Sequence, residues 1–176
     1  MSKIVLDSDG LIKSGKSGIL KVLYETHTCI IPKEVFKESV EQGKLELYED
    51  AFELEEEIKE EIDIREPIEN SLANKIIKGK SLGKGEEDVL HLFFNENADA
   101  IISDDRNFLN LLENEGIAFF NPANTIVELT KRGKIKKEKG LNALDKIKGL
   151  IRKDVYEKAK EEVENANSSL SIKDST

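Results

Sequence analysis

The stretch from Ile4 to Gly10 constrains the fold of this chain more than any other part of the sequence. Ile4-Val5-Leu6 is a short apolar run, which predicts a buried strand. It is followed at once by Asp7-Ser8-Asp9-Gly10, whose residue types are typical of turns and of helix N-caps. Open α/β sheets bind their ligands at the carboxyl ends of central strands, and an unpaired buried carboxylate is costly. We therefore expect Asp7 to be present for a function rather than for stability.

Short apolar runs alternate with helical patterns along the rest of the chain, which predicts a parallel α/β sheet. Further strands are predicted at 28–31, at 98–103 and at 117–120. Helices are predicted at 10–25 with an interruption around Ser14-Gly15, at 33–41 with an end at Gly43, at 45–65, 67–77, 86–96, 108–114 and 124–132, and as one long final helix through 141–155. The expected fold is a three-layer α/β/α arrangement with a central, mostly parallel sheet and a C-terminal helical extension.

Charge is distributed unevenly along the chain, whose formal net charge is −9. Residues 46–69 carry twelve acidic and two basic side chains, whereas residues 131–160 carry twelve basic and four acidic ones. These segments are either faces for different partners or two solvated helix surfaces. We expect a main domain over 1–135 that includes an acidic helical insert at 46–69. A helical extension at 136–166 and a disordered tail at 167–176 would follow it.

The composition excludes several classes of protein. A hydrophobic content of 38% favours a folded chain over a disordered one. No apolar run approaches the roughly 20 residues that a membrane helix needs. The single cysteine and the lack of a secretory apolar region are typical of a reducing compartment. We therefore expect a soluble, cytoplasmic protein.

Acidic residues follow two of the predicted strands. Asp7 and Asp9 come after the first strand, and Asp104 and Asp105 come after a later one. Glu38 and residues 86–88 are further acids, on helices that follow strands. Many acids in such positions are merely solvated. Carboxylates that meet at one sheet edge repel one another unless a cation binds, and Mg²⁺ or Mn²⁺ prefers such oxygen ligands. A site of this kind can activate water and stabilise the leaving oxygen in phosphodiester cleavage.

Four short motifs stand in order along residues 3–132. They are Val5-Leu6-Asp7-Ser8 at a strand end, Pro32-Lys33-Glu34-Val35-Phe36-Lys37-Glu38 on the next helix, Gly85-Glu86-Glu87-Asp88 at a helix start, and Ser103-Asp104-Asp105 before a helix with Phe108. In order and spacing they resemble the PIN-domain nucleases, which include the VapC-like toxins. Each motif is weak by itself, and the four in order are fairly specific.

The resemblance implies an endoribonuclease that depends on Mg²⁺ or Mn²⁺, either a VapC-like toxin or an RNA-processing nuclease. It also implies an RNA substrate, a protein partner such as an antitoxin, and a homodimer. The residues carried over as metal-binding and catalytic acids are Asp7, Glu38, Asp88 and Asp105, with Asp104 and Glu86 as neighbouring ligands and Ser8, Asp9 and Ser103 as supports. Asp9 replaces a small or neutral residue of many relatives, so it is either an extra ligand or an N-cap. Lys80 and Lys84 are candidates for contacts with RNA phosphates.

Two other motifs at the first strand end keep alternatives open. Residues 10–17 satisfy the Walker A spacing of a phosphate-binding loop, although Asp7 and Asp9 would repel phosphates there. The Asp-x-Asp-Gly of haloacid-dehalogenase-type phosphatases is also matched, with Asp7 as nucleophile and Asp9 as acid–base partner. That family usually has Thr where this chain has Leu11. A third alternative is a nuclease-like fold that binds a partner without catalysis.

Overall fold

The computed structural model describes residues 1–46, 49–59 and 61–166. The tail predicted at 167–176 lies outside these residues. In chain order the elements are β1 (Lys3–Leu6), α1 (Ser8–Ser17), α2 (Leu20–Thr26), β2 (Thr28–Pro32), α3 (Lys33–Phe36), a π-helical segment (Lys37–Gln42), α4 (Gly43–Leu45), α5 (Glu49–Ile58), β3 (Asp63–Arg65), α6 (Ser71–Ile77), α7 (Lys84–Asn95), β4 (Ala100–Ile102), α8 (Arg106–Asn114), β5 (Phe119–Phe120), α9 (Pro122–Lys131), α10 (Lys137–Ile147) and α11 (Lys153–Asn165). None of the described helices is both long enough and apolar enough to cross a membrane.

The described strands form one sheet in the order β3-β2-β1-β4-β5, with every neighbouring pair parallel. β1 is the central strand, and its residues Ile4, Val5 and Leu6 are all buried, as expected for a strand covered on both faces. The three-layer α/β/α prediction is confirmed, and the sheet is fully rather than mostly parallel.

The order of the strands explains where a site can form. The chain runs from β1 outward to β2 and β3, and then returns to place β4 on the other side of β1. Right-handed crossovers that run in opposite directions lie on opposite faces of a sheet, so α1 and α7 cover different faces. α7 packs against β1, β2 and β4, and α1 packs against α9 and α10. The reversal between β1 and β4 opens a crevice at their carboxyl ends.

The helical pattern predicted over 45–65 is wrong at its end, where Asp63–Arg65 forms the edge strand β3. All three residues are exposed, so no alternation of buried and exposed side chains marks them as a strand. Backbone pairing with β2 makes this strand, which is a long-range contact that local periodicity does not report. The next helix begins at Ser71 rather than at Pro67, because the side chain of Asn70 caps it.

Two glycines act differently from the prediction. The first helical region breaks at Gly18 rather than at Ser14-Gly15, because Gly18 adopts φ +75° and its N–H bonds the carbonyls of both those residues. Gly43 does not end the second region, since its φ of −59° and ψ of −36° are helical and the chain continues into α4. The π-helical segment Lys37–Gln42 stands between, and such segments are frequent at functional sites.

The single long final helix predicted through 141–155 is wrong. Residues 148–152 separate α10 from α11, and the two helices pack against each other. The spacing of apolar residues is unchanged across the break, so the pattern alone could not show it. Both helices also pack against α9 and bury Leu144, Ile147 and Val163. The domain boundary at residue 135 stays a prediction.

Candidate active site

A cleft of about 230 Å³ lies at the carboxyl ends of β1 and β4. Four separate segments of the chain line it, through Asp7, Ser8, Asp9, Glu38, Gly83, Gly85, Glu86 and Asp105. A larger cavity of about 440 Å³ lies between α1, the π-helical segment, α5 and α10, and none of the strand-end acids lines it. We place the candidate site in the smaller cleft because the acidic side chains that could bind a cation or take part in a reaction line it.

Asp7 joins β1 to α1 and has only 5% of its surface exposed. Its Oδ1 accepts a 2.7 Å hydrogen bond from the backbone N–H of Gly10, which caps α1. Its Oδ2 accepts a hydrogen bond from the hydroxyl of Ser103, the residue that follows β4. The backbone N–H of Asp7 also donates to the carbonyl of Ile102 at 3.1 Å. Two neighbouring strand ends therefore hold this carboxylate.

The environment of Asp7 makes its charge unfavourable. Burial is the largest cause, and it raises the pKa of Asp7 from its usual 3.8 to about 7. The hydrogen bonds from Ser103 and Gly10 act in the opposite direction, and the negative charges of Asp9 and Glu86 add to the rise. Near neutral pH a bound cation would therefore compete with a proton at this position.

Asp105 reaches the cleft from the carboxyl end of β4. Its Oδ1 accepts a 2.8 Å hydrogen bond from the N–H of Phe108 and caps α8. Its own N–H donates to the hydroxyl oxygen of Ser103 at 3.2 Å. Ser103 is fully buried and links Asp7 to Asp105, and its supporting role in a metal site stays a prediction.

Glu38 comes from the π-helical segment, and its Oε2 accepts a 2.6 Å hydrogen bond from the hydroxyl of Ser8. Its carboxylate lies against the Cα of Gly85, where a Cβ atom would be only 2.8 Å from Oε2. Glycine at position 85 therefore gives the carboxylate room beside the start of α7. Ser8, also predicted as a support, thereby connects α1 with Glu38.

Glu86 lies in the first turn of α7, where its Oε2 accepts a 2.8 Å hydrogen bond from the N–H of Gly83. Burial is the main cause of a raised pKa for Glu86, and the negative charges of Asp105, Glu38 and Asp9 raise it further. Carboxylates from the start of α1, the π-helical segment and the end of β4 therefore all lie near enough to Glu86 to affect its charge.

Asp88 is not among the residues that line the cleft. Its buried carboxylate accepts a 2.5 Å hydrogen bond from the ammonium of Lys84, one helical turn earlier. Residues two positions apart on a helix face directions about 200° apart, so Glu86 and Asp88 do not share a face. This ion pair also raises the pKa of Lys84. Lys80 is exposed and precedes α7.

Asp104 and Asp105 are adjacent in sequence and have different surroundings. Asp104 binds the ammonium of Lys13 from α1 and does not line the cleft. Lys13 Nζ also lies 4.0 Å from Oδ2 of Asp9, which is exposed at the cleft rim. Burial is the main cause of a raised pKa for Asp104, and Lys13 opposes that rise.

The donor set of the cleft fits a hard divalent cation, because it consists of carboxylates that repel one another. As the side chains stand, no three histidine, cysteine or acidic residues in the described ranges are arranged to hold a metal ion. Glu38, Glu86 and Asp7 instead accept hydrogen bonds from Ser8, Gly83 and Ser103.

The structure also bears on the alternatives for the first strand end. Residues 10–17 lie within α1, and Gly10, Leu11, Ser14 and Ser17 are buried, so the phosphate-binding-loop alternative is wrong. Helical N–H groups inside α1 are bonded to the helix itself and do not form a cradle for phosphate. Asp7 and Asp9 both line the cleft, so geometry alone does not exclude the phosphatase alternative.

Two residues of this site were missed as functional candidates by the sequence analysis. Gly85 matters for the space that it leaves beside Glu38, and Lys13 matters for its ion pair with Asp104. The spacing of Lys13 four residues after Asp9 on a helix indicates a pair with Asp9, and no signal in the sequence indicates the pair with Asp104. Gly10 is a second close approach, because a Cβ there would lie 2.3 Å from the carbonyl oxygen of Ile102.

Comparison with known proteins adds one finding. A protein-family model described as a PIN domain matches residues 3–165, which is most of the chain and includes α10 and α11. No curated protein matches the sequence.

Proposed function

Because the chain belongs to the PIN-domain family, we propose that it is a Mg²⁺-dependent endoribonuclease. PIN-domain proteins are nucleases, and they generally depend on divalent metal ions. The observation that carries the proposal is the cleft itself, in which Asp7, Glu38, Glu86 and Asp105 come together from four distant segments. Such a gathering of negative charge is unfavourable without a cation and useful with one.

We propose that these four acids hold the cation and that Asp9 stands at the rim. A bound Mg²⁺ or Mn²⁺ supplies an activated water and stabilises the charge on the leaving oxygen. Around it, Ser103 and the N–H of Gly10 orient Asp7, and Ser8 orients Glu38. These hydrogen bonds to the acidic side chains direct their oxygens toward the cleft.

Asp88 has a different role in this proposal from the one that the family resemblance implies. It holds the ammonium of Lys84, whose side chain is 65% exposed at the start of α7. A lysine fixed in this way can contact a phosphate group of RNA without carrying sequence information. Lys80, exposed in the preceding loop, is a second candidate for the same contact.

The test is to replace Asp7 or Asp105 by Asn and to measure RNA cleavage with and without Mg²⁺. We expect each variant to lose cleavage by at least about 100-fold, because a charged ligand is removed from the cation. Glu113→Gln is the matched control, since Glu113 is an exposed carboxylate near the other end of α8. Unchanged cleavage in Asp7→Asn would remove the mechanism.

The substrate is tested in the same assay by offering RNA, single-stranded DNA, a small phosphate ester and ATP side by side. The proposal expects internal cleavage of RNA. Hydrolysis of the small ester, abolished in Asp7→Asn, would instead support the phosphatase alternative, in which Asp7 is a nucleophile.

We further propose a homodimer and a protein partner such as an antitoxin. The acidic segment 46–69 and the basic segment 131–160 are the surfaces that support such contacts. Light scattering of the purified chain tests the homodimer.

A module that binds without catalysis is the second candidate function, favoured by the lack of a ready-made metal arrangement among the described residues. Mn²⁺ titration by calorimetry separates the two, because only the nuclease proposal expects binding in the cleft.

A further inference from the structure

Lys13 is a basic residue held beside the acidic cleft. It lies on α1, one turn after Asp9, and its ammonium binds Oδ2 of Asp104. The side chains of Lys13 and Asp104 are only 14% and 16% exposed. The same ammonium is 4.0 Å from Oδ2 of Asp9, which lines the cleft. A partly buried ion pair therefore lies beside the rim of the cleft, next to Asp9.

The two consecutive aspartates after β4 need different partners. Asp105 caps α8 and lines the cleft, whereas Asp104 turns to Lys13. A carboxylate as sheltered as Asp104 is costly without a positive partner. If the ammonium were removed, the nearest replacement would be the cation that the neighbouring acids hold.

We propose that Lys13 is a positioning residue that withholds Asp104 from the cation and so keeps coordination positions open for water and a substrate phosphate. This inference rests on the proposed function. Four proposed carboxylate ligands already leave few of the roughly six positions of an octahedral Mg²⁺ for water and phosphate, so a fifth carboxylate would occupy one that the reaction needs. Lys13 acts through Asp104.

The experiment compares Mn²⁺ affinity and Mn²⁺-dependent RNA cleavage in Lys13→Met and in the natural chain. We expect Lys13→Met to bind Mn²⁺ about tenfold more tightly, because a nearby positive charge is lost and Asp104 becomes available. Cleavage by the same variant falls, and water-proton relaxation shows fewer waters on the bound Mn²⁺. A merely structural defect would weaken binding and cleavage together, so the opposite signs identify the positioning role.

Lys13→Arg keeps the charge, and we expect it to restore both properties. In the double variant Lys13→Met/Asp104→Asn, the affinity for Mn²⁺ returns toward that of the natural chain. Lys21→Met is the matched control, because Lys21 is an exposed lysine on α2 that pairs only with Glu25 among the contacts described. If Lys13→Met does not fold, Lys13→Gln replaces it, since glutamine removes the charge and retains a hydrogen-bond donor.

The outcomes separate this inference from the proposed function. If the natural chain binds Mn²⁺ and cleaves RNA while Lys13→Met binds Mn²⁺ equally or more weakly, the positioning role is overturned and the nuclease proposal stands. If the natural chain binds no Mn²⁺, both are overturned. Tighter binding with slower cleavage supports both.

Discussion

The carboxyl group of Asp7 is buried where β1 meets α1, with one oxygen on the N–H of Gly10 and the other on the hydroxyl of Ser103. Both hydrogen bonds favour the charged form, yet burial outweighs them and raises the pKa to about 7. The folded protein therefore binds a proton at Asp7 that the unfolded chain releases at lower pH. Burying the charged form of Asp7 costs free energy, and binding of a proton or a cation would remove that cost.

Asp7→Asn should stabilise the metal-free protein, and the gain should depend on pH. The pKa of Asp7 is about 7 in the folded state and near 3.8 in the unfolded chain, so the cost of burying its charge disappears only well below pH 3.8, where both states are protonated. The cost grows as pH rises and is complete above pH 7, where it reaches at most about 4 kcal/mol. Urea unfolding in EDTA at pH 4.5 and pH 8 measures the difference between the two proteins. A difference independent of pH would contradict the burial of this carboxyl.

Gly85→Ala should reduce activity without reducing stability. A Cβ at position 85 would lie 2.8 Å from Oε2 of Glu38, the far end of a flexible side chain that can move away. Alanine favours a helix over glycine by about 1 kcal/mol, so the free energy of unfolding should be unchanged or slightly higher. Moving Glu38 away from Ser8 should lower RNA cleavage about 100-fold. Parallel thermal melts and cleavage assays check both parts, and loss of stability together with activity would contradict the steric explanation.

At the scale of elements, α1 contributes more to the cleft than any other segment. It is capped by Asp7, places Ser8 and Asp9 in its first turn and carries Lys13 one turn later. Acidic side chains at a helix N-terminus are favoured by the helix dipole, so their position is compatible with a stable helix. The position of α1 relative to β4 depends on Gly10, whose Cα lies directly against the carbonyl of Ile102.

Gly10→Ala should destabilise the protein by about 1–3 kcal/mol despite the higher helix propensity of alanine. The added Cβ would lie 2.3 Å from the carbonyl oxygen of Ile102, and backbone atoms cannot rotate away as a side chain can. α1 would have to shift from β4 and would separate Asp7 from Ser103. Gly149→Ala is the matched control, because nothing lies within 4 Å of a Cβ there. Equal unfolding midpoints for the two variants would contradict this prediction.

At the scale of the whole molecule, α10 and α11 complete the packing around α1 and α9. Leu144, Ile147 and Val163 are fully buried in this contact, and the hydroxyl of Tyr156 donates to Asp145. Gly140 permits close approach, since a Cβ there would lie 2.5 Å from Oγ1 of Thr130. The C-terminal helices therefore share the main hydrophobic core.

A chain that ends at residue 135 should unfold at a much lower temperature than one that ends at residue 166, or should aggregate. Removing α10 and α11 exposes the apolar faces of α1 and α9, and large exposed apolar patches favour association between chains. Thermal melts and light scattering of the two truncated chains measure the effect. Equal melting temperatures would support the separate C-terminal extension predicted from the sequence.

The apolar run 4–6, the acids after it and the alternation of strands and helices were sufficient to predict the α/β class, the parallel sheet and the family resemblance. Asp7 and Asp105 could be predicted at the cleft because parallel strands end at a common edge. That Glu86 lines the cleft and Asp88 does not was also within reach of the sequence, because helix geometry puts residues two apart on different faces.

By itself, the sequence determined the class of fold and which strand ends carry acids, because these depend on patterns among residues close in the chain. Only the tertiary structure decided that β3 lies at the sheet edge, that Glu38 rests on Gly85, and that Lys13 pairs with Asp104. Lys13 and Asp104 are 91 positions apart. Their contact follows from the packing of α1 against the end of β4, and no local periodicity encodes such a packing distance.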